Sequence, residues 1–331
     1  MRNAYVDIHA HYFPKSFLDL IDRDGGTVAT IDQSSSDGPV IEVGSRRSTT
    51  LRPAFWDLDI RIQEMDAQGI LVHALSLSPP MLYWADDQLG LRLAQTFNNA
   101  ISEAHIAFPE RFFGLATLPM QNPQQALEEL ERAATLKGIR GIYMGTNILG
   151  KDLANTEFFP IFERMQALRL PLFLHPTWDI IGQDRLAPYY FRNLLGNPFE
   201  SAVAASSLIF GSVLDRLQSL QVCLPHAGGA FLSLIGRLDH GWKVRPECQH
   251  LQYPPSDYLR RFHYDTISHS SQTLGHLIDL VGSDRVMLGS DYCFDMGYEQ
   301  PVQIVTQLPG LDDDAKKRIL RENALRFLGL A

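Results

Sequence analysis

Eight short runs rich in apolar residues recur along the chain, and this alternation with helix-like stretches constrains the fold more than any other feature. The runs cover residues 5–11, 70–77, 113–118, 139–144, 171–175, 222–226, 262–268 and 286–291. Alternating strands and helices predict a parallel sheet with right-handed crossovers, and eight strands can close into a barrel. The sequence therefore predicts an α/β fold, a single (β/α)8 TIM-like barrel domain over residues 1–331.

Between the runs lie stretches with helical character, at residues 91–108, 123–135, 158–168 and 271–281. The dipeptide Asn122-Pro123 is a good helix start, because proline at the first helical position needs no hydrogen-bond donor. Residues 22–52 interrupt the alternation with the turn-rich pieces DRDGG, QSSSDGP and GSRRSTT. We expect this segment to be an inserted β-hairpin that follows strand one and lies over the mouth of the barrel.

Composition and charge limit the classes of partner. The chain is 45% hydrophobic and carries a formal net charge of −9, which argues against a general nucleic-acid binder. No apolar run approaches the ~20 residues that a membrane span needs. The three cysteines, Cys223, Cys248 and Cys293, lack CxxC spacing and fit a reducing compartment. We expect a soluble cytoplasmic protein that acts on a small anionic molecule, with neither nucleic acid nor membrane as partner.

Histidine and aspartate residues stand at the ends of four predicted strands. His9 and His11 share one face of the first strand, since alternate strand residues point the same way. His175, His226 and Asp291 end the fifth, sixth and eighth runs. Barrel enzymes carry their reactive groups at these strand ends, and imidazoles with a carboxylate suit Zn²⁺. The competing interpretation is a set of hydrogen-bonded polar residues in the core.

The motifs DIHAHYFP, LHPTW, PHAGGAF and LGSDYCF carry a family resemblance. The chain resembles the amidohydrolase superfamily, more narrowly the branch of 2-amino-3-carboxymuconate 6-semialdehyde decarboxylase and related aromatic acid decarboxylases. The resemblance implies one zinc ion per chain, bound by His9, His11, His175 and Asp291, with His226 as general acid/base. Catalysis is accordingly assigned to His226 and Asp291. The segment IRGIYMGTN has no lysine that could bridge a second metal.

The resemblance also implies substrate-binding residues and a partner. Arg52 in LRPAFWD is expected to hold the substrate carboxylate within its own chain, although its spacing to the following tryptophan is shorter than in the family. Arg237 in LIGRLD is expected to reach the same carboxylate across a homodimer interface. Trp178 and Phe294 follow metal-site motifs and are expected to line the pocket. Cys293 stands where the family carries proline, which would alter the pocket nearby.

Loss of CO2 leaves a carbanion that needs an electron sink, and zinc can supply one by polarising a substrate oxygen. The first hypothesis is therefore a zinc-dependent non-oxidative decarboxylase of a carboxylated muconate semialdehyde or hydroxybenzoate in aromatic catabolism. The alternative is a metal-dependent hydrolase or hydratase, in which activated water adds to a lactone, amide or alkene at the same site. A third hypothesis is a non-catalytic ligand-binding barrel.

Overall fold

An eight-stranded parallel sheet, described in a computed structural model over residues 4–331, follows the order of the sequence. Strands β1 to β8 are Tyr5–His11, Ile70–Ser76, Phe112–Ala116, Ile139–Gly145, Leu172–His175, Val222–Leu224, Phe262–Asp265 and Val286–Met287. The first and last strands also meet, since the amide of Ile8 donates to the carbonyl oxygen of Leu288 at 2.9 Å and Ala10 bridges Tyr292. The sheet is thus a closed (β/α)8 barrel, which confirms the predicted fold class.

Twelve α-helices, α1 to α12, accompany the strands among the described residues. They are Lys15–Asp24, Leu58–Gln68, Asp87–Ala107, Pro123–Ala133, Phe159–Leu168, Asn197–Phe210, Val213–Arg216, Phe231–Val244, Ser271–Val281, Pro301–Thr306, Asp313–Lys317 and Asn323–Phe327. Helix α4 begins at Pro123 as predicted, and the Asn122 side chain accepts a hydrogen bond from the Gln125 amide at 3.2 Å. Within residues 4–331, no helix is long and apolar enough to cross a membrane.

Strands β6 and β8 are shorter than predicted, because the chain leaves the sheet before the predicted site residues. Strand β6 ends at Leu224, and His226 then adopts a positive φ of 54°. Strand β8 ends at Met287, and Asp291 adopts a positive φ of 61°. These left-handed conformations turn both side chains away from the direction they would take in a continuous strand.

Residues between α1 and α2 form a separate three-stranded antiparallel sheet, which we call the inserted sheet. Its strands are Ala29–Asp32, Val40–Val43 and Arg46–Arg47. The sequence analysis predicts a two-stranded hairpin here, whereas Val43 also pairs with Arg46 after a tight turn at Gly44. The extra strand places the Arg46 side chain toward the C-terminal mouth of the barrel, where the predicted site residues lie.

Candidate metal centre and active site

His9 and His11 lie at the C-terminal end of β1 and are fully buried. Their rings point to the same side of the strand, as alternate strand positions require. The Nε2 atoms of the two rings are 3.1 Å apart, and the ring planes are nearly perpendicular at 85°. Two imidazole nitrogens therefore converge on one point inside the barrel mouth.

His175, His226 and Asp291 reach the same point from β5 and from the loops after β6 and β8. Ligand atoms of His9, His175, His226 and Asp291 all lie within 4.8 Å of one another. His11 joins them, because its Nε2 atom is 2.8 Å from Oδ1 of Asp291. The structure thus brings together all five residues that the strand-end pattern singles out.

Neighbouring acceptors set the tautomers of two of these histidines. Nδ1 of His9 lies 2.8 Å from Oδ2 of Asp265, and Nδ1 of His175 lies 2.8 Å from the carbonyl oxygen of Pro176. A carboxylate and a carbonyl only accept, so each Nδ1 carries the hydrogen and each Nε2 presents a lone pair to the cluster. Asp265 thereby acts on the site through His9.

The electrostatics of the cluster suit a divalent cation. Burial lowers the pKa of His11 to about 4 and holds the pKa of His175 well below its usual range, so both rings are neutral near pH 7. For Asp291, burial alone would raise the pKa, but the interactions with His11 and His226 outweigh it and hold that pKa well below its usual range. Neutral imidazoles beside a carboxylate are the donor set that zinc and similar ions bind.

His9 differs from the other ring donors. Burial lowers its pKa, but the hydrogen bond with Asp265 and the charge of Asp291 outweigh that effect, so the pKa of His9 is raised. A cation at the cluster would replace the proton that this environment favours, and metal binding would release that proton. The residues present therefore fit a metal ion, with His9 held in place by Asp265.

A cavity of about 630 Å³ opens above the cluster, and we call it the site cavity. His175, His226 and Asp291 form part of its floor, while Trp178 and Phe294 line its walls. The inserted sheet and its flanking turn, residues 45–49, form another wall. The structure therefore places both predicted pocket residues at the cavity.

Arg52 does not line the site cavity in this structure. Its Nη1 and Nη2 atoms bind the two carboxylate oxygens of Glu64 at 3.1 and 3.0 Å, and the guanidinium lines an adjoining cavity. Phe294 borders both cavities and so stands between Arg52 and the histidines. Arg46 of the inserted sheet does line the site cavity, and its Nη1 atom lies 2.7 Å from Oδ1 of Asp179.

Arg237 lies on α8 and is exposed to solvent. It does not line the site cavity of its own chain, whose lining residues come from other segments. The structure therefore does not bring Arg237 together with His9, His175, His226 and Asp291 within one chain.

A sequence model of the family described as amidohydrolase matches residues 6–330 of this chain. The chain belongs to the amidohydrolase family. Among curated relatives, the 2-amino-3-carboxymuconate-6-semialdehyde decarboxylase of Dictyostelium discoideum is 36% identical over 99% of this chain and 92% of its own length. This places the chain in the branch that the four motifs predict.

Solved structures agree with this placement. The structure of Metarhizium anisopliae IDCase in apo form superposes with a TM-score of 0.88 at 26% identity, covering 99% of this chain and 97% of the other. The 5-carboxyvanillate decarboxylase LigW from Sphingomonas paucimobilis superposes with a TM-score of 0.85, also at 26% identity, covering 99% and 100% of the two chains. The amidohydrolase barrel is therefore shared along its whole length.

Two residues that support this amidohydrolase site escaped the sequence analysis. Asp7 accepts hydrogen bonds from the amides of His9 and Ser290 at 3.0 and 3.2 Å, and burial raises its pKa to about 7. The sequence signal for Asp7 was its position two residues before His9, on the same face of the strand. Arg61 on α2 is fully buried and donates to the carbonyl oxygen of His11. Nothing in the local sequence distinguishes it from a surface arginine.

Proposed function

We propose that this amidohydrolase is a zinc-dependent, non-oxidative decarboxylase of a small unsaturated or aromatic acid. The observation that carries the proposal is the convergence of four candidate ligands with His226 beneath one cavity, which His175, His226 and Asp291 line. The similarity to relatives named as decarboxylases supports this reaction class. The proposed substrate class is a carboxylated muconate semialdehyde or a hydroxybenzoate.

His9, His11, His175 and Asp291 are the proposed ligands of a single zinc ion. Their support is geometric and electrostatic: the ring Nε2 lone pairs of His9 and His175 face the cluster, and Asp291 is anionic there. When bound, the ion would polarise a substrate oxygen and so stabilise the negative charge that develops as CO2 leaves.

His226 is the proposed general acid. Its side chain is 17% exposed, and its Nε2 atom lies 3.7 Å from Oδ2 of Asp291. Its backbone amide and that of Ala227 donate to the Asp265 carboxylate at 2.9 and 2.8 Å, which holds the turn in place. As the bond to the carboxyl group breaks, its electron pair stays on the ring or alkene carbon, and His226 would deliver a proton to that carbon.

Arginines are proposed to hold the substrate carboxylate, because their planar fork matches its two oxygens. Arg52 is the residue implied by the family resemblance, and it would have to leave Glu64 to reach the site cavity. Arg237 is proposed to act from the partner chain of a homodimer, and its exposure on α8 supports that role. Trp178 and Phe294 would pack against the body of the substrate.

The shared site in the dimer is testable by mixing two inactive variants, H175A and R237A. In a mixed dimer, the chain with intact ligands receives Arg237 from its partner, so part of the activity should return. An active monomer, or no recovery after subunit exchange, would contradict the shared site.

The reaction class is tested by a screen of muconate-type and hydroxybenzoate acids, followed by ultraviolet absorbance and by trapping of released CO2. Activity should disappear with a chelator and return with zinc, and metal analysis should give one ion per chain. Turnover of lactones, amides or alkenes without CO2 release would instead identify the hydrolase or hydratase alternative. Absence of bound metal and of turnover would leave a ligand-binding barrel.

A further inference from the structure

Glu200 is a buried carboxylate that the proposed reaction does not use. It lies in the first turn of α6 and is 5% exposed. Its Oε1 atom accepts from the backbone amide of Ile181 at 2.5 Å, and its Oε2 atom accepts from Nδ2 of Asn147 at 3.0 Å and from Oγ1 of Thr146 at 3.4 Å. The Ile181 amide and Nδ2 of Asn147 can only donate, so both oxygens of residue 200 must accept.

Asn147 is locked in one orientation beside Glu200. Its Oδ1 atom accepts from the amide of Gly150 at 3.0 Å, which directs Nδ2 toward Glu200 and toward the carbonyl oxygen of Asp179 at 2.7 Å. Glu200 and Asn147 therefore hold the backbone of the loop after β5 at Asp179 and at Ile181.

These two anchor points flank Ile180 and follow Trp178, and both of those side chains line the site cavity. The same loop begins at His175, a proposed metal ligand whose place is already fixed by the pairing of β5 with β4. The anchors thus control the distance between a wall of the cavity and the metal centre, while the ligand itself is held by the sheet.

We propose that Glu200 is a positioning residue that sets the Trp178–Ile180 wall of the site cavity and thereby determines which acids fit. The inference rests on the proposed function for its substrate class. Replacing one acceptor oxygen by the amide group of glutamine would place a donor against Asn147 or Ile181, and an unpaired buried donor is costly. The loop would then shift, while the proposed ligands stay in place.

The test compares E200Q with E129Q, a matched control. Glu129 on α4 is likewise buried, and it accepts from Nδ2 of Asn98 at 2.6 Å and from Nε of Arg132 at 2.7 Å, away from the site cavity. Both variants should lose thermal stability. E200Q alone should lose hydrogen-exchange protection at the Ile181 amide, with about a tenfold rise in KM, kcat within about threefold of wild type, and unchanged zinc content.

A second variant, N147A, removes the other anchor and keeps the test open if E200Q does not fold. N147A should also raise KM. In the double variant E200Q/N147A, the rise in KM should be smaller than the product of the two single rises, because both substitutions act on one loop. Normal exchange at Ile181, or lost protection with an unchanged KM, would overturn the proposal. Equal effects of E129Q on KM would do the same.

Failure of the proposed function gives a different result. If wild type converts none of the acids, the decarboxylase assignment fails. The test then uses two other measurements in place of KM. They are hydrogen exchange at the Ile181 amide and the affinity for salicylate, measured by calorimetry. A wild-type affinity in E200Q would overturn the positioning role, and a weaker affinity with lost protection at Ile181 would support it.

Discussion

The Asp265 carboxylate joins the proposed ligand His9 to the proposed acid His226 through one side chain. Its Oδ2 atom lies 2.8 Å from Nδ1 of His9 and accepts from the His226 amide at 2.9 Å. Its Oδ1 atom accepts from the amides of Ala227 and Ile267 at 2.8 and 3.0 Å. Four donors bind the two oxygens and hold this carboxylate in place, so that it positions both His9 and His226.

Asp265→Asn should weaken zinc binding by about 10- to 100-fold, the usual loss when the hydrogen-bond partner of a ligating histidine is changed. An amide nitrogen in place of Oδ2 would donate to Nδ1 of His9 and shift the ring hydrogen to Nε2, which then cannot bind a cation. Competition with a chromogenic chelator measures the change. The exposed Asp279→Asn on α9 is the control, and equal affinity in both variants would contradict the role of Asp265.

Single substitutions should distinguish the proposed metal ligands from the proposed general acid. His175→Ala should lower both zinc content and activity, because it removes a proposed ligand. His226→Ala should retain zinc and lose about 10²- to 10⁴-fold in rate, the usual contribution of a positioned general acid. Metal analysis beside kcat distinguishes the two. Loss of zinc from H226A would reassign His226, whose Nε2 atom lies 3.7 Å from Asp291, as a ligand.

Arg46→Gln and Arg52→Gln compare an arginine that lines the site cavity with one that lines the adjoining cavity. If Arg52 leaves Glu64 to hold the carboxylate, as proposed, R52Q should give the larger rise in KM, about tenfold or more. A larger rise in R46Q would instead assign the carboxylate to Arg46, which lines the site cavity and would have to leave Asp179. Glu64→Gln provides the cross-check, since it would release Arg52. A larger effect in R52Q, with a lower KM in E64Q, would show that Arg52 moves into the cavity and holds the carboxylate as the family resemblance implies.

Arg61→Met should destabilise the barrel by about 3 kcal/mol, because it leaves buried carbonyl oxygens without their charged donor. Arg61 is fully buried, donates to the carbonyl oxygens of Ala54 and His11, and lies over the Tyr292 ring at 4.7 Å. Urea unfolding measures the loss. Arg164→Met removes an exposed ion pair with Glu131 and should cost much less, because water and salt screen exposed pairs. Equal losses in the two variants would contradict the structural role of Arg61.

His263→Gln should flatten the pH dependence of stability between about pH 6.5 and 4. Burial, followed by the nearby positive charge of Arg285, lowers the pKa of His263 to about 4. In that window the unfolded chain binds a proton that the folded chain does not, so wild-type stability falls as the pH falls, by up to about 3 kcal/mol from this group. Urea midpoints at pH 7.5 and 5 measure the slope. The exposed His276→Gln is the control, and equal slopes in H263Q and wild type would refute the assignment.

The strand-end histidines were predictable because a closed parallel barrel brings all its carboxyl strand ends to one rim. Position along a strand was enough to place His9 and His175 together, whereas Asp291 reaches them from the loop after β8. Glu200 and Arg61 were not predictable in this way, since each lies on a helix and binds groups far along the chain, such as the Asn147 side chain and the His11 carbonyl. A helical pattern indicates which face is buried but not which distant polar group that face will meet.

The inserted sheet explains why sequence spacing alone could not show which of Arg46 and Arg52 lines the site cavity. A hairpin alone would not fix the position of the residues that follow it. The additional strand, Arg46–Arg47, places Arg46 on the wall of the site cavity. Only the pairing of Val43 with Arg46 reveals the register of this strand. Turn-rich segments carry weak register signals, so the hairpin of Ala29–Asp32 and Val40–Val43 could be predicted while the short third strand could not.

The strands of the inserted sheet pair with one another, and the barrel strands form a sheet of their own. Substitutions between Ala29 and Arg47 can therefore remodel the entrance for substrates without breaking a hydrogen bond between barrel strands. The part of the cavity wall formed by residues 45–49 can therefore vary while the barrel strands that carry the proposed ligands keep their pairing. For protein engineering, this segment is a replaceable module, and its exchange between relatives would transfer shape preference while the histidine cluster stays as it is.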